Sequence, residues 1–117
     1  MTNVVMKIDG AQVTATIDDN AAARDFLAML PVTLTLEDYN NTEKISDLPG
    51  RLSTAGSPQG HDPSVGDITY FAPWGNLAIF YRDFGYARGL VYLGAIDSGI
   101  DLLRQSGPLK VTVERAD

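Results

Sequence analysis

With 117 residues, 44% of them hydrophobic and 21% charged, the chain suits one globular domain spanning residues 1–117. A net charge of -6 with scattered basic residues argues against nucleic acid as a partner, and the absence of cysteine excludes disulfides, thiolate metal ligands and a cysteine nucleophile. No apolar run is long enough to span a membrane, and MTNVVMKIDG lacks the basic start and apolar core of a signal peptide, so the sequence reads as cytoplasmic.

Val4 to Ile8 and Val13 to Ile17 alternate and are β-branched, and Asp9-Gly10 between them favours a two-residue hairpin turn. Asp19 and Asn20 offer caps for a helix over Ala21 to Leu30, in which Ala23, Phe26, Leu27 and Leu30 share one face; Pro31 ends it. Val32 to Glu37 alternates with period two, and Lys44 to Leu48 reads as a short fourth strand. Pro49 to Gly66 is rich in Gly and Pro and has no periodicity, which predicts a long surface loop. Asp67 to Ala72 and Asn76 to Arg82 are strands of a hairpin whose tip is Pro73-Trp74-Gly75. Leu90 to Ile96 is strand-like, Ser98-Gly99-Ile100-Asp101 reads as a capping box opening a helix through Gln105, and Leu109 to Val113 is a last strand.

Two lone helices among eight strands are too few for alternating βαβ units. They suit the two open ends of a closed barrel, and closure removes the edges that short strands would otherwise expose. The expected fold is therefore mainly β: a closed eight-stranded barrel capped by helices Ala21–Leu30 and Ser98–Gln105.

The segment Gly89-Leu90-Val91-Tyr92-Leu93-Gly94-Ala95-Ile96, followed by Gly99 and Ile100-Asp101-Leu102-Leu103, resembles the strand and second helix of the cyclophilin fold. Leu30-Pro31, Glu37-Asp38-Tyr39, the Glu43 segment, Gly66-Asp67-Ile68-Thr69-Tyr70, Pro73-Trp74-Gly75-Asn76 and Phe80-Tyr81 resemble, over nearly the whole chain, the small bacterial and archaeal cyclophilin-like proteins. For that branch the resemblance implies a fold and no settled activity. Cyclophilins proper are proline isomerases with an Arg, a Gln, two Phe, a Trp and a His around one groove. At the matching places this chain has Thr33 and Thr35 for the Arg, Asn76 to Ile79 for the Gln and Phe, and Phe84, Tyr86 and Arg88 for the Trp and His. Arg51 with Gln59-Gly60-His61-Asp62 echoes the cyclophilin spacing, but it sits too late in the strand order and reads as coincidence.

His61 is the single histidine, so a metal site would need carboxylates for all its other ligands, and a solvated loop histidine is the reading preferred. No nucleophile elbow accompanies Ser53, Ser57 or Ser64, and no glycine spacing suits a phosphate, so neither a cofactor nor a metal is expected. Glu37, Asp38 and Glu43 surround Tyr39; carboxylates held close can do acid–base work, although a solvated strand end accounts for them as well.

Tyr70, Phe71, Trp74, Phe80, Tyr81, Phe84 and Tyr86 concentrate the aromatic side chains in one stretch. Alternation sends Leu77, Ile79 and Tyr81 to one face and Ala78, Phe80 and Arg82 to the other, and both faces are largely apolar. One set fills a barrel; the other needs a loop, a ligand or a second subunit to cover it. The candidate groove is Tyr39, Trp74, Phe80, Tyr81 and Arg82. The leading expectation is a module that binds an extended peptide or a small molecule there. The alternatives are a homodimer contact through the same face and a divergent proline isomerase, expected to be weak or inactive, with Arg82 as its guanidinium beside Phe80.

Overall fold

The computed structural model describes residues 1–116. Its elements are β1 (Thr2–Ile8), β2 (Ala11–Ile17), α1 (Ala21–Ala28), β3 (Val32–Tyr39), β4 (Glu43–Asp47), β5 (Gly60–His61), β6 (Asp67–Phe71), β7 (Asn76–Phe80), β8 (Ala87–Arg88), β9 (Leu90–Ser98), α2 (Ile100–Leu103) and β10 (Leu109–Arg115). Eight strands close into a barrel in the order β1-β10-β3-β4-β7-β6-β9-β2, with every neighbouring pair antiparallel. β5 and β8 form a separate two-stranded ribbon.

Period-two alternation builds the interior. Val4, Met6 and Ile8, Val13 and Ile17, Leu34 and Leu36, Ile68 and Tyr70, Leu77 and Ile79, Val91 and Leu93, and Val111 and Val113 join one core. Phe26 and Leu27 of α1 and Leu103 of α2 belong to the same core, so the lumen is packed with side chains. Each such large side chain, once fully buried, stabilises the fold by about 1.5–3 kcal/mol.

Local chemistry explains most element ends. Asp9 and Gly10 both take positive φ, 48 and 80, as the tight turn between β1 and β2 requires. Asn20 is the cap of α1, its Oδ1 accepting the Ala23 N–H at 2.8 Å. The helix stops two residues before Leu30, because the Met29 and Leu30 amides fold back onto Phe26 O and Leu27 O.

The expected capping box is not formed. Ser98 is the last residue of β9, with its hydroxyl 2.7 Å from that of Thr14 across the ladder, and Gly99 at φ 94 makes the turn into a helix of only four residues. The segment Pro49–Gly66 is also less free than its composition suggests. It contains β5, buries Leu52, whose N–H donates to the Tyr70 hydroxyl, and is tied to α1 where the Ser53 N–H donates to Asp25.

Candidate functional site

The alternation that fills the lumen leaves a second set of side chains on the outer wall. On β7 these are Asn76, Ala78 and Phe80, and β4 places Asp47, Ile45 and Glu43 opposite them in that order. β6 sets Phe71 opposite Asn76, and β9 sets Leu90 opposite Phe71. Ala78, Phe80 and Leu90 are buried and form a second apolar cluster with Ile45, Phe71 and Ala87. The segment after β7 covers part of it: the Phe84 ring stacks on Phe80 with centroids 6.0 Å apart. The β5–β8 ribbon holds that cover in place, since the Gly89 N–H donates to Gln59 O and the Ala72 N–H to Gly89 O.

The cover is incomplete, and a pocket of about 210 Å³ remains, lined by Tyr39, Asn40, Glu43, Ile45, Phe71, Trp74, Asn76, Phe80, Phe84, Ala87 and Leu90. Trp74 is 54% exposed at the hairpin tip, and the rings of Tyr39 and Phe71 meet it edge-on at 5.3 and 5.2 Å. Gly75, at φ 68, lets the turn close, with its amide donating to Phe71 O.

Two buried polar groups interrupt this apolar wall. Glu43 is 9% exposed, and burial pushes its carboxyl above the usual carboxylate range. Asn76 is 4% exposed and its Oδ1 has no hydrogen-bond partner among the described residues, an arrangement that costs about 1–3 kcal/mol. Because the folded state holds the Glu43 proton more tightly than the unfolded chain, the contribution of this residue to stability is best in acid and is lost as pH rises through its folded pKa. Glu43→Gln is therefore expected to raise the melting temperature at about pH 7 and to have little effect at about pH 3, where the carboxyl is neutral in both states. Melts that gain nothing at neutral pH would contradict the burial argument.

Of the residues the sequence nominates, Tyr39, Trp74 and Phe80 meet at this pocket, and Tyr81 and Arg82 lie outside it. β7 ends at Phe80, where the chain leaves the ladder and the amides of both Tyr81 and Arg82 turn onto Thr42 O. The face alternation therefore stops before these two residues. Tyr81 is buried at one end of the barrel, its hydroxyl donating to Asp38 Oδ1 at 2.7 Å, with the Lys44 ammonium 3.0 Å from the same oxygen. Burial and the Asp38 contact push the Tyr81 phenol up to about 12; the Tyr81 hydrogen bond and then Lys44 hold Asp38 below its usual range, against the opposing effect of burial. Arg82 is exposed.

The acidic group around Tyr39 is likewise divided. Asp38 registers with Lys44 and Tyr39 with Glu43, so Asp38 and Glu43 occupy opposite faces of the β3–β4 pair and share no proton. His61 is not a free loop residue: its Nε2 lies 2.8 Å from Asp67 Oδ2, which also accepts the Ser64 N–H. Among the described residues no group of three or more His, Cys, Asp or Glu is placed to hold a metal. Asn76 and Phe84 were absent from the sequence-based groove. Asn76 was visible as the first outward residue of the Ala78–Phe80 face, whereas Phe84 reaches the pocket from a loop that carries no periodic signal.

A closed eight-stranded antiparallel barrel with a packed lumen and two helices is consistent with a cyclophilin-like barrel. The model of the Cyclophilin-like family matches residues 6–114, and the chain belongs to that family. The solution structure of the hypothetical protein AF2241 from Archaeoglobus fulgidus is similar in fold, with a TM-score of 0.69 at 17% sequence identity, covering 98% of this chain and 95% of that one. No curated protein matches the sequence.

Proposed function

We propose that this protein is a binding barrel whose outer pocket takes one small apolar group, either a side chain of an extended peptide or a small molecule, and performs no chemistry on it. The pocket itself supports the reading: about 210 Å³ of space walled by Tyr39, Phe71, Trp74, Phe80, Phe84 and Leu90. Sites for drug-sized ligands run to roughly 300–1,000 Å³, so this volume suits a single ring or aliphatic chain. Isomerisation of a prolyl bond has to overcome a barrier of about 18–20 kcal/mol by favouring the twisted amide, and a guanidinium beside the prolyl nitrogen is the group expected to do so. No arginine is among the residues that line the pocket: Arg82 and Arg88 are exposed, and an Arg51 Nη donates to Ala72 O.

Trp74 emission reports on occupancy, because it is the chain's one tryptophan and stands at the rim. Titration with n-butanol as a small apolar probe should shift that emission in a saturable way. A Trp74→Ala variant, altered at an exposed turn, should keep the far-ultraviolet dichroism of the parent and bind the probe about tenfold more weakly by amide chemical-shift titration. Undiminished binding by Trp74→Ala would sink the assignment.

A further inference from the structure

Building on that binding role, we propose that the occupant of the pocket carries a primary ammonium group on a short alkyl stem, with the ammonium paired to Glu43 and the stem lying against Ile45, Phe80 and Leu90. Glu43 is the one Asp, Glu, Lys or Arg among the lining residues, and it stands directly across the β4–β7 ladder from Phe80. No lysine or arginine forms an ion pair with it among the described residues. Lys44, its neighbour in sequence, points through to the other face, where Asp38 and the carbonyl of Gln105 take its ammonium. A carboxylate set into an apolar wall without a counter-ion is costly, and a cation arriving with the occupant removes that cost.

A second orphan lies on the same wall. Asn76 Oδ1 is buried and unpartnered at the far end of the outward face of β7, four residues before Phe80. At the rise of an antiparallel strand, Asn76 lies about 13 Å along β7 from Phe80, the residue that Glu43 faces. Glu43 is thus the acceptor for the ammonium, and Asn76, farther along the same apolar wall, is open to a donor elsewhere on a longer occupant. The surroundings favour positive charge as well: register places Glu37 beside Ile45 and Asp47 beside Asn76 on this face, and the chain carries a net charge of -6. A neutral alcohol would satisfy Asn76 and leave Glu43 uncompensated; an anion would be repelled.

The same chemistry is available from a free alkylamine and from a lysine side chain, whose stem and head are those of n-butylammonium. The test titrates n-butylammonium, n-butanol and N-acetyl-lysine N-methylamide into the full chain at neutral pH, read by Trp74 emission. Binding of n-butylammonium is expected to be roughly thirtyfold tighter than that of n-butanol, and Glu43→Gln is expected to abolish the preference. Tighter binding of the lysine amide than of n-butylammonium assigns the occupant to a peptide; equal or weaker binding assigns it to a free amine. Equal affinities for n-butylammonium and n-butanol, or a preference that survives Glu43→Gln, overturn the ammonium assignment and leave the binding pocket intact. Failure of all three probes overturns both. Should Glu43→Gln fail to fold, the ratio of the two affinities in the unmodified chain still decides.

Discussion

Gly94→Ala is expected to destabilise the barrel by roughly 3 kcal/mol or more, because an added Cβ there makes the closest contact of any glycine position. β9 runs between β2 and β6, and Gly94 stands opposite Ile17 on one side and Ile68 on the other. A Cβ at this position would overlap the carbonyl oxygen of Thr16 and lie 2.9 Å from the Ile17 Cα. Both are backbone atoms, so no rotamer change relieves the clash and the β2–β9 ladder has to open. For a chain of this length, each kcal/mol moves the melting temperature by about 4 °C, so a fall of about 12 °C or outright loss of folding is expected in a thermal melt. Gly50→Ala is the control: nothing lies within 4 Å of a Cβ there. A Gly94→Ala protein that melts with the parent would mean that β2 and β9 are not paired in this register.

Lys44→Ala is expected to cost about 3 kcal/mol, for a different reason. Lys44 is fully buried, and its ammonium is held by Gln105 O at 2.5 Å and Asp38 at 3.0 Å, above the Tyr81 ring at 5.8 Å from the centroid. Truncation leaves a cavity, an unpartnered carbonyl and a carboxylate without its cation. Lys44→Met restores the stem without the charge and should recover about half of the loss, which chemical denaturation of the two variants would show. The pH dependence follows from the lowered pKa of Asp38. Its contribution is present above the ordinary carboxylate range and is lost as pH falls through its folded value, so both variants should lose less stability on acidification than the parent. The carboxyl is 35% exposed, which keeps that pH effect modest. Equal stabilities of parent and Lys44→Ala would contradict the network.

What could be read from the sequence divides according to whether the cause is local. The strands, α1 and barrel closure were legible because alternation, the Asp9-Gly10 turn and the Asn20 cap act within a few residues. The β5–β8 ribbon was not, because two residues on each side pair only when tertiary structure brings Gly60 and Arg88 together. The helix cap assigned to Ser98 failed because a hydroxyl that suits a cap also suits a cross-strand bond, and Thr14 is the partner the barrel supplies. At the site, Phe80 was legible as an outward aromatic needing a cover, and Trp74 and Tyr39 as its neighbours. Tyr81 and Arg82 were carried along by extending the alternation two residues past the true strand end. Alternation along β4 turns Lys44 to the face opposite Glu43, but the carbonyls of Gln105 and Gly107 that hold its ammonium there lie more than fifty residues later.

Direct mapping of a bound probe tests whether the outer wall is where this barrel binds. With n-butanol titrated into labelled protein, saturable amide and side-chain shifts are expected, confined to Glu43, Ile45, Phe71, Trp74, Asn76, Phe80, Phe84 and Leu90 on the outer wall. Saturable shifts clustered instead at the Lys44–Asp38–Tyr81 end of the barrel, or at the Asn3 and Arg115 strand ends, with the outer wall unmoved, would contradict it.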